Sequence, residues 1–236
     1  MWWIVLIIIT VVIAIIIGIV LASVINLHER GDYGDGGGIV TGDNQNYPFF
    51  GPRTDKAGIY GEKVAAYHLR PLLRADEHLL TNVILPIRNG KKIEIDCVLI
   101  SRKGVFCVEI KKWVGHISGN DDDEYWLQEY DDPHLDDRRH RNPVKQNDFH
   151  SLILFEKLNK KYSISNVVIF VKLDDGSGIH SNNAFTLWGF KTFYRGKADD
   201  LLDIEDVNGI YDSLVRYVAT REQLINYKKN RESGNN

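Results

Sequence analysis

Trp2 to Ile25 is a run of 24 residues, WWIVLIIITVVIAIIIGIVLASVI, without a single charged side chain. No feature restricts this chain more. As a helix the run would reach roughly 36 Å at 1.5 Å per residue, enough to cross a hydrocarbon core of about 30 Å. Its Ile and Val are mediocre helix formers in water. In lipid, however, a single segment can satisfy its backbone hydrogen bonds only as a helix. Trp2 and Trp3 stand where an interfacial aromatic anchor belongs. A cleaved signal peptide fits less well: there is no charged leading region, and the apolar stretch is longer than the usual 7–15 residues. The expectation is a retained, single-pass anchor over 1–27. Arg30 lies close behind the run and no Lys or Arg precedes it, so the positive-inside rule leans towards a cytoplasmic position for the residues on its C-terminal side.

Residues 28–57 read as a flexible linker. GDYGDGGG has five glycines in eight residues, and NQNYPFFGPRTDK continues without periodicity. Tyr47, Phe49 and Phe50 are its one sticky patch. Every Lys, Arg, Asp and Glu falls after Leu27, which gives the remainder the make-up of a water-soluble domain, 58–236. Acids outnumber bases, 32 to 29, for a net charge of −3. A generally basic, sequence-blind nucleic-acid coat is excluded, while a local basic patch is not.

Within that domain Glu62, Ala65, Ala66, Leu69, Leu72 and Leu73 share one face of a helix that bends or ends near Pro71. Strands are expected at His78–Pro86, Lys92–Ile100 and Val105–Trp113, the last two joined by the hairpin turn Ser101-Arg102-Lys103-Gly104. Gly119–Asp137, with nine acids, reads as a solvated loop. Asn142-Pro143 marks an N-cap and first helical residue, opening a helix to about Leu158 with Gln146, Phe149 and Ile153 on one face. NVVIFVK at Asn166–Lys172 suits a buried strand. Phe185–Tyr194 is read as an edge strand and Glu205–Lys228 as one terminal helix. The whole is a mixed α/β sandwich.

Closing the hairpin at Ile100 and Val105 sets Asp96 opposite Glu109 and Glu94 opposite Lys111. Strict alternation then puts all four on one face. Opposed carboxylates in strands as apolar as these destabilise the ladder and raise one another's pKa. A hard divalent cation, Mg²⁺ or Mn²⁺, would relieve the conflict, with Lys111 free to act on a metal-bound water or on charge developing at phosphorus. An exposed face with a Glu94–Lys111 surface ion pair satisfies the same spacing.

Three blocks in order, GEKVAAYHL, KKIEIDCVLISRKGVFCVEIKKWVGHISG and NPVKQNDFHSLILFEKL, resemble the nuclease-related (NERD) domain. This is a branch of the PD-(D/E)XK restriction-endonuclease-like superfamily, and the likeness covers about Gly58 to Leu158. It implies a restriction-endonuclease-like mixed sheet flanked by helices and Mg²⁺-dependent hydrolysis of DNA phosphodiester bonds. It further implies metal ligation by Asp96 and Glu109, with Lys111, Glu62 and Gln146 as the catalytic set. Lys112 stands where the family more often has Asn, and Glu94 where it often has Gln. The partners implied are nucleic acid, DNA in the first instance, and a lipid bilayer through residues 2–25. A module of the same fold that has lost turnover is the alternative.

Arg138, Arg139, Arg141 and Lys145 form the one local basic cluster and are candidates for phosphate-backbone contacts. His134, His140 and His150 read as solvated loop or helix-start histidines. Cys97 and Cys107 fall on opposite sides of the hairpin by its register, so no bridge is expected and two buried thiols suit a reducing compartment.

Overall fold

The computed structural model describes residues 56–173 and 177–233. The apolar run and residues 28–55 of the expected linker lie outside the described residues, as does the Tyr47–Phe50 patch; Lys56 and Ala57, expected to end the linker, instead open a helix. Among the described residues no helix is long and apolar enough to cross a membrane.

Five α-helices and two mixed sheets make up the described part of the fold. Helix α1 (Lys56–Leu69) gives way to a 3-10 turn at Arg70–Leu72, because Pro71 cannot continue the hydrogen-bond ladder. Ala65, Ala66 and Leu69 bury its apolar stripe. The first sheet has the order β1 (His78–Pro86), β2 (Lys92–Ser101), β3 (Gly104–Lys111), β7 (Ile164–Phe170), β9 (Ala184–Thr186). Its first three strands are antiparallel neighbours, and β7 and β9 then run parallel to β3. The central strands carry apolar residues on both faces, so both faces must be covered. Ala66, Leu69, Phe106, Val108, Phe190 and Tyr194 pack on one side. Ile95, Val98, Ile100, Leu154, Ile210 and Leu214 pack on the other.

The acidic stretch is not a loop. It holds the end of β4 and all of β5 in a second sheet, ordered β6 (Arg138–Arg141), β5 (Tyr125–Glu129), β4 (His116–Asn120), β8 (Gly178–His180). The acids lie in its turns and on its outer face, whereas Ile117, Trp126 and Gln128 are buried. Gly119, at φ +154°, lies flat against the Trp126 ring, where a Cβ would come within 2.5 Å of it. Counting acids hid this alternation.

Helix α2 (Pro143–Lys157) begins as expected, with the Asn142 side chain accepting from the Val144 and Lys145 amides. The same side chain looks backwards too: its Nδ2 lies within 3.1 Å of the carbonyl oxygens of Asn120, Asp121 and Asp123. One residue thus starts the helix and ties down the acidic β4–β5 turn. Gln146, Phe149 and Ile153 share a face as expected, and Gln146 and Ile153 are half-buried, but the most deeply buried side of the helix lies next to it. Asn147, Ser151 and Leu154 are buried, while Phe149 is 47% exposed.

The other corrections lie near the C-terminus. Strand β9 is only three residues long, and Thr186 then caps helix α3 (Leu187–Gly196) through the Gly189 amide. The terminal helix is two, α4 (Ile204–Leu214) and α5 (Arg221–Glu232). They are split by a bridge between Val218 and Val83 and by a capping box at Thr220 and Gln223. We expect Asn142→Ala to cost about 2 kcal/mol, since it removes a cap and strands carbonyl groups. Thermal unfolding should register a Tm lower by roughly 4–8 °C.

Candidate active site

The β2–β3 hairpin has the expected register: Ile100 faces Val105, Leu99 faces Phe106, Val98 faces Cys107 and Cys97 faces Val108. There the pairing stops. The carboxylate of Asp96 takes the place of a strand partner, Oδ2 accepting from the Ile110 amide at 2.8 Å. Strand β3 runs on paired only to β7, with Glu109 beside Val168 and Lys111 beside Phe170. The expected cross-strand pairs Asp96–Glu109 and Glu94–Lys111 therefore do not form. Opposed carboxylates disfavour a closed ladder, and here the two strands part where such an opposition would begin. Glu94 sits across from Ile84 of β1, with Oε1 3.4 Å from Lys228 Nζ, so it is no partner of Lys111.

Glu109 is 5% exposed. A carboxylate taken so far from water must recover its hydrogen bonds. Oε1 accepts from Lys111 Nζ at 2.6 Å and from Gln146 Nε2 at 3.0 Å, while Lys111 Nζ also reaches Gln146 Oε1 at 3.2 Å. Across the carboxylate, His150 Nδ1 lies 3.5 Å from Oε2. Burial by itself would push the Glu109 carboxyl up. The Lys111 charge and the contacts from His150 outweigh it and hold the group down at about 2.

Gln146 and His150 are one turn apart on α2, and their placing is set by the residue between them. Asn147, fully buried, donates from Nδ2 to the carbonyl oxygens of Cys107 (2.9 Å) and Val167 (3.0 Å) and to Asn166 Oδ1 (2.6 Å). It also accepts from the Cys107 thiol at 3.3 Å. The helix is thereby pinned to β3 and β7 at the level of Glu109. Reading the histidines as solvated missed His150. The four-residue step from Gln146 was the signal that could have found it.

Trp113 and His140 form one wall. Their rings stack at 4.2 Å, Lys111 Nζ lies 5.6 Å from the Trp113 ring, and His140 Nε2 is 2.6 Å from Gln128 Oε1. Burial first, then the charges of Lys111 and Arg138, keep the His140 pKa below its ordinary value. Burial also pushes the Cys107 thiol up, with Glu109 and Asp96 adding to the effect, which disfavours the thiolate. Cys97 and Cys107 are both unbridged and buried, in opposite core layers as expected.

The basic cluster is divided. On β6, Arg138 and His140 lie opposite Gln128 and Trp126, the buried side of the sheet, whereas Arg139 and Arg141 lie opposite Leu127 and Tyr125 on the outer side. Arg139 stacks over Tyr125, and Lys145 donates to the Asp122 carbonyl oxygen. Only Arg138 of these four shares a face with the wall of the site. Glu62 belongs to α1 by its backbone, but its side chain is outside those described.

The fold and this cluster define a mixed α/β domain built around a buried carboxylate–ammonium centre at one end of its main sheet. Residues 57–171, α1 through β7, match the family model of the nuclease-related domain. No curated protein and no solved structure matches the chain.

Glu109 ionises more readily folded than unfolded, so its contribution to stability is present above about 4.5 and is lost as pH falls towards about 2. Urea unfolding across that window should show the stability advantage of the wild type over Glu109→Gln shrinking as pH drops.

Proposed function

We propose that this is a metal-dependent nuclease, tethered to a membrane by residues 2–25 with its domain on the cytoplasmic side, that hydrolyses DNA phosphodiester bonds. The observation that carries the reading is Glu109, a buried carboxylate kept ionised beside Lys111 and Gln146 at the end of a strand, with Asp96 on the neighbouring strand. The match of residues 57–171 to the nuclease-related domain supports the nucleic-acid part of the reading. The restriction-endonuclease-like arrangement implied by the resemblance is part of the same proposal.

The donor set suits a hard cation. Among the described residues no group of three or more His, Cys, Asp or Glu could hold a metal ion. Mg²⁺ or Mn²⁺ would thus rest on Asp96 and Glu109 and complete its shell with waters and a substrate phosphate, the usual habit of Mg²⁺. When bound, the ion supplies Lewis-acid activation of water and neutralises charge on the phosphoryl oxygens. Lys111 then has two tasks, holding Glu109 in place and presenting Nζ to the attacking water or to the negative charge growing on phosphorus. Gln146, hydrogen-bonded to both, fixes their separation. Glu62 is proposed as a supporting acid by resemblance alone. Arg138 is the cation best sited for a phosphate on the approach to the centre.

One observation favours a second reading, a binding module of this fold without turnover. The Glu109 charge is already balanced by Lys111 within the chain. The two readings part in one experiment. Incubating the full-length chain with plasmid DNA and Mg²⁺ or Mn²⁺ should give cleavage that Asp96→Ala, Glu109→Ala and Lys111→Ala each reduce by about 10²–10³-fold. Cleavage unchanged in Asp96→Ala, or none with either ion, rejects the nuclease. For DNA binding, Arg138→Ala should lower affinity and reduce the salt slope by about 1, while Arg139→Ala leaves both near wild type.

A further inference from the structure

Asn82 in β1 lies directly across from Asp96, at the one step of the β1–β2 ladder where Thr81↔Cys97 and Val83↔Ile95 pair on either side and the residues between do not. Its φ is +54°, in the left-handed region that side chains with a Cβ seldom adopt and that Asn tolerates best after Gly. At this step both strands lose their alternation. On β1, Leu80 and Val83 pack in the same core layer. On β2, Ile95 and Val98 do so, while Cys97 packs in the opposite one. A strict period of two forbids both pairs. The kink reverses the faces of the two strands together, which leaves Asp96 at the point of reversal, where its carboxylate reaches sideways to the Ile110 amide of β3.

The kink has its own support. The carbonyl oxygen of Asn82 accepts from the Ala219 amide at 2.9 Å, beside the Val83–Val218 bridge, so the segment between α4 and α5 clasps the strand where it turns. The Asn82 side chain contributes no matching bond: Oδ1 is buried, and among the described residues nothing donates to it. What Asn supplies here is backbone conformation.

We infer that Asn82 is a positioning residue of the candidate site: its left-handed turn, opposite Asp96 and held by Ala219, swings the Asp96 carboxylate out of the core and towards β3. The inference deepens the metal-site reading and rests on it for what Asp96 does once it is there.

The test uses the full-length chain with two readouts. One is the exchange rate of the Ile110 amide, which needs no metal. The other is Mn²⁺ affinity by calorimetry. Asn82→Ala keeps a side chain but disfavours the turn. It should speed Ile110 exchange roughly tenfold, the effect of about one lost hydrogen bond, and weaken Mn²⁺ binding by roughly tenfold or more. Its Tm should fall by roughly 2–4 °C. Asn82→Gly removes the side chain but accepts the turn at no steric cost, and should match the wild type in both readouts. A folded Asn82→Ala with wild-type Ile110 exchange overturns the inference, and so does an Asn82→Gly as defective as Asp96→Ala at that amide. Should Asn82→Ala not fold, Asn82→Gly and Asn82→Asp decide, since both accept the turn and loss of Ile110 protection in either is fatal. A wild-type chain that binds no Mn²⁺ would remove the metal reading, and the Ile110 comparison would still judge Asn82.

Discussion

Burying the Glu109 carboxylate is the constraint around which this domain is arranged. Isolated in a protein interior, such a charge would be neutralised by taking up a proton. Here it stays ionised because β3 and α2 bring donors to it from two directions, Lys111 from its own strand and Gln146 from the helix. That requirement reaches outward. The helix must dock at one height and rotation, which Asn147 fixes by bonding to carbonyls of β3 and β7. Its first turn must start at one point, which Asn142 fixes by bonding to the turn between β4 and β5. The second sheet is thus fastened to the first through the helix that serves the buried charge.

Much of this was legible from residue order. The hairpin register came from a four-residue turn between apolar runs, and the N-cap of α2 from Asn-Pro. The opposite facing of the two cysteines came from counting along the strands. These features depend on neighbours a few residues away, where local chemistry decides.

The misreadings depended on longer range. Strict alternation from Glu94 through Asp96 fails because a residue on another strand, Asn82, takes a left-handed conformation, itself supported by an amide more than a hundred positions later. The acidic stretch looked like a loop because composition dominated, although Trp126 and Gln128 already had a strand's spacing. His150 looked solvated until the fold gave it a buried carboxylate to face. Arg138 and Arg139 adjoin in sequence, yet a strand sends them to opposite faces, so a cluster on paper is a pair of half-clusters in space.

The two cysteines have a practical consequence. They are the chain's full complement, and each is sealed in a different core layer. Alkylating reagents and spin labels therefore meet no native thiol on the folded domain. A single cysteine introduced at an exposed position would be the only one open to them, so probes could be placed singly without first stripping the domain of its own sulfur.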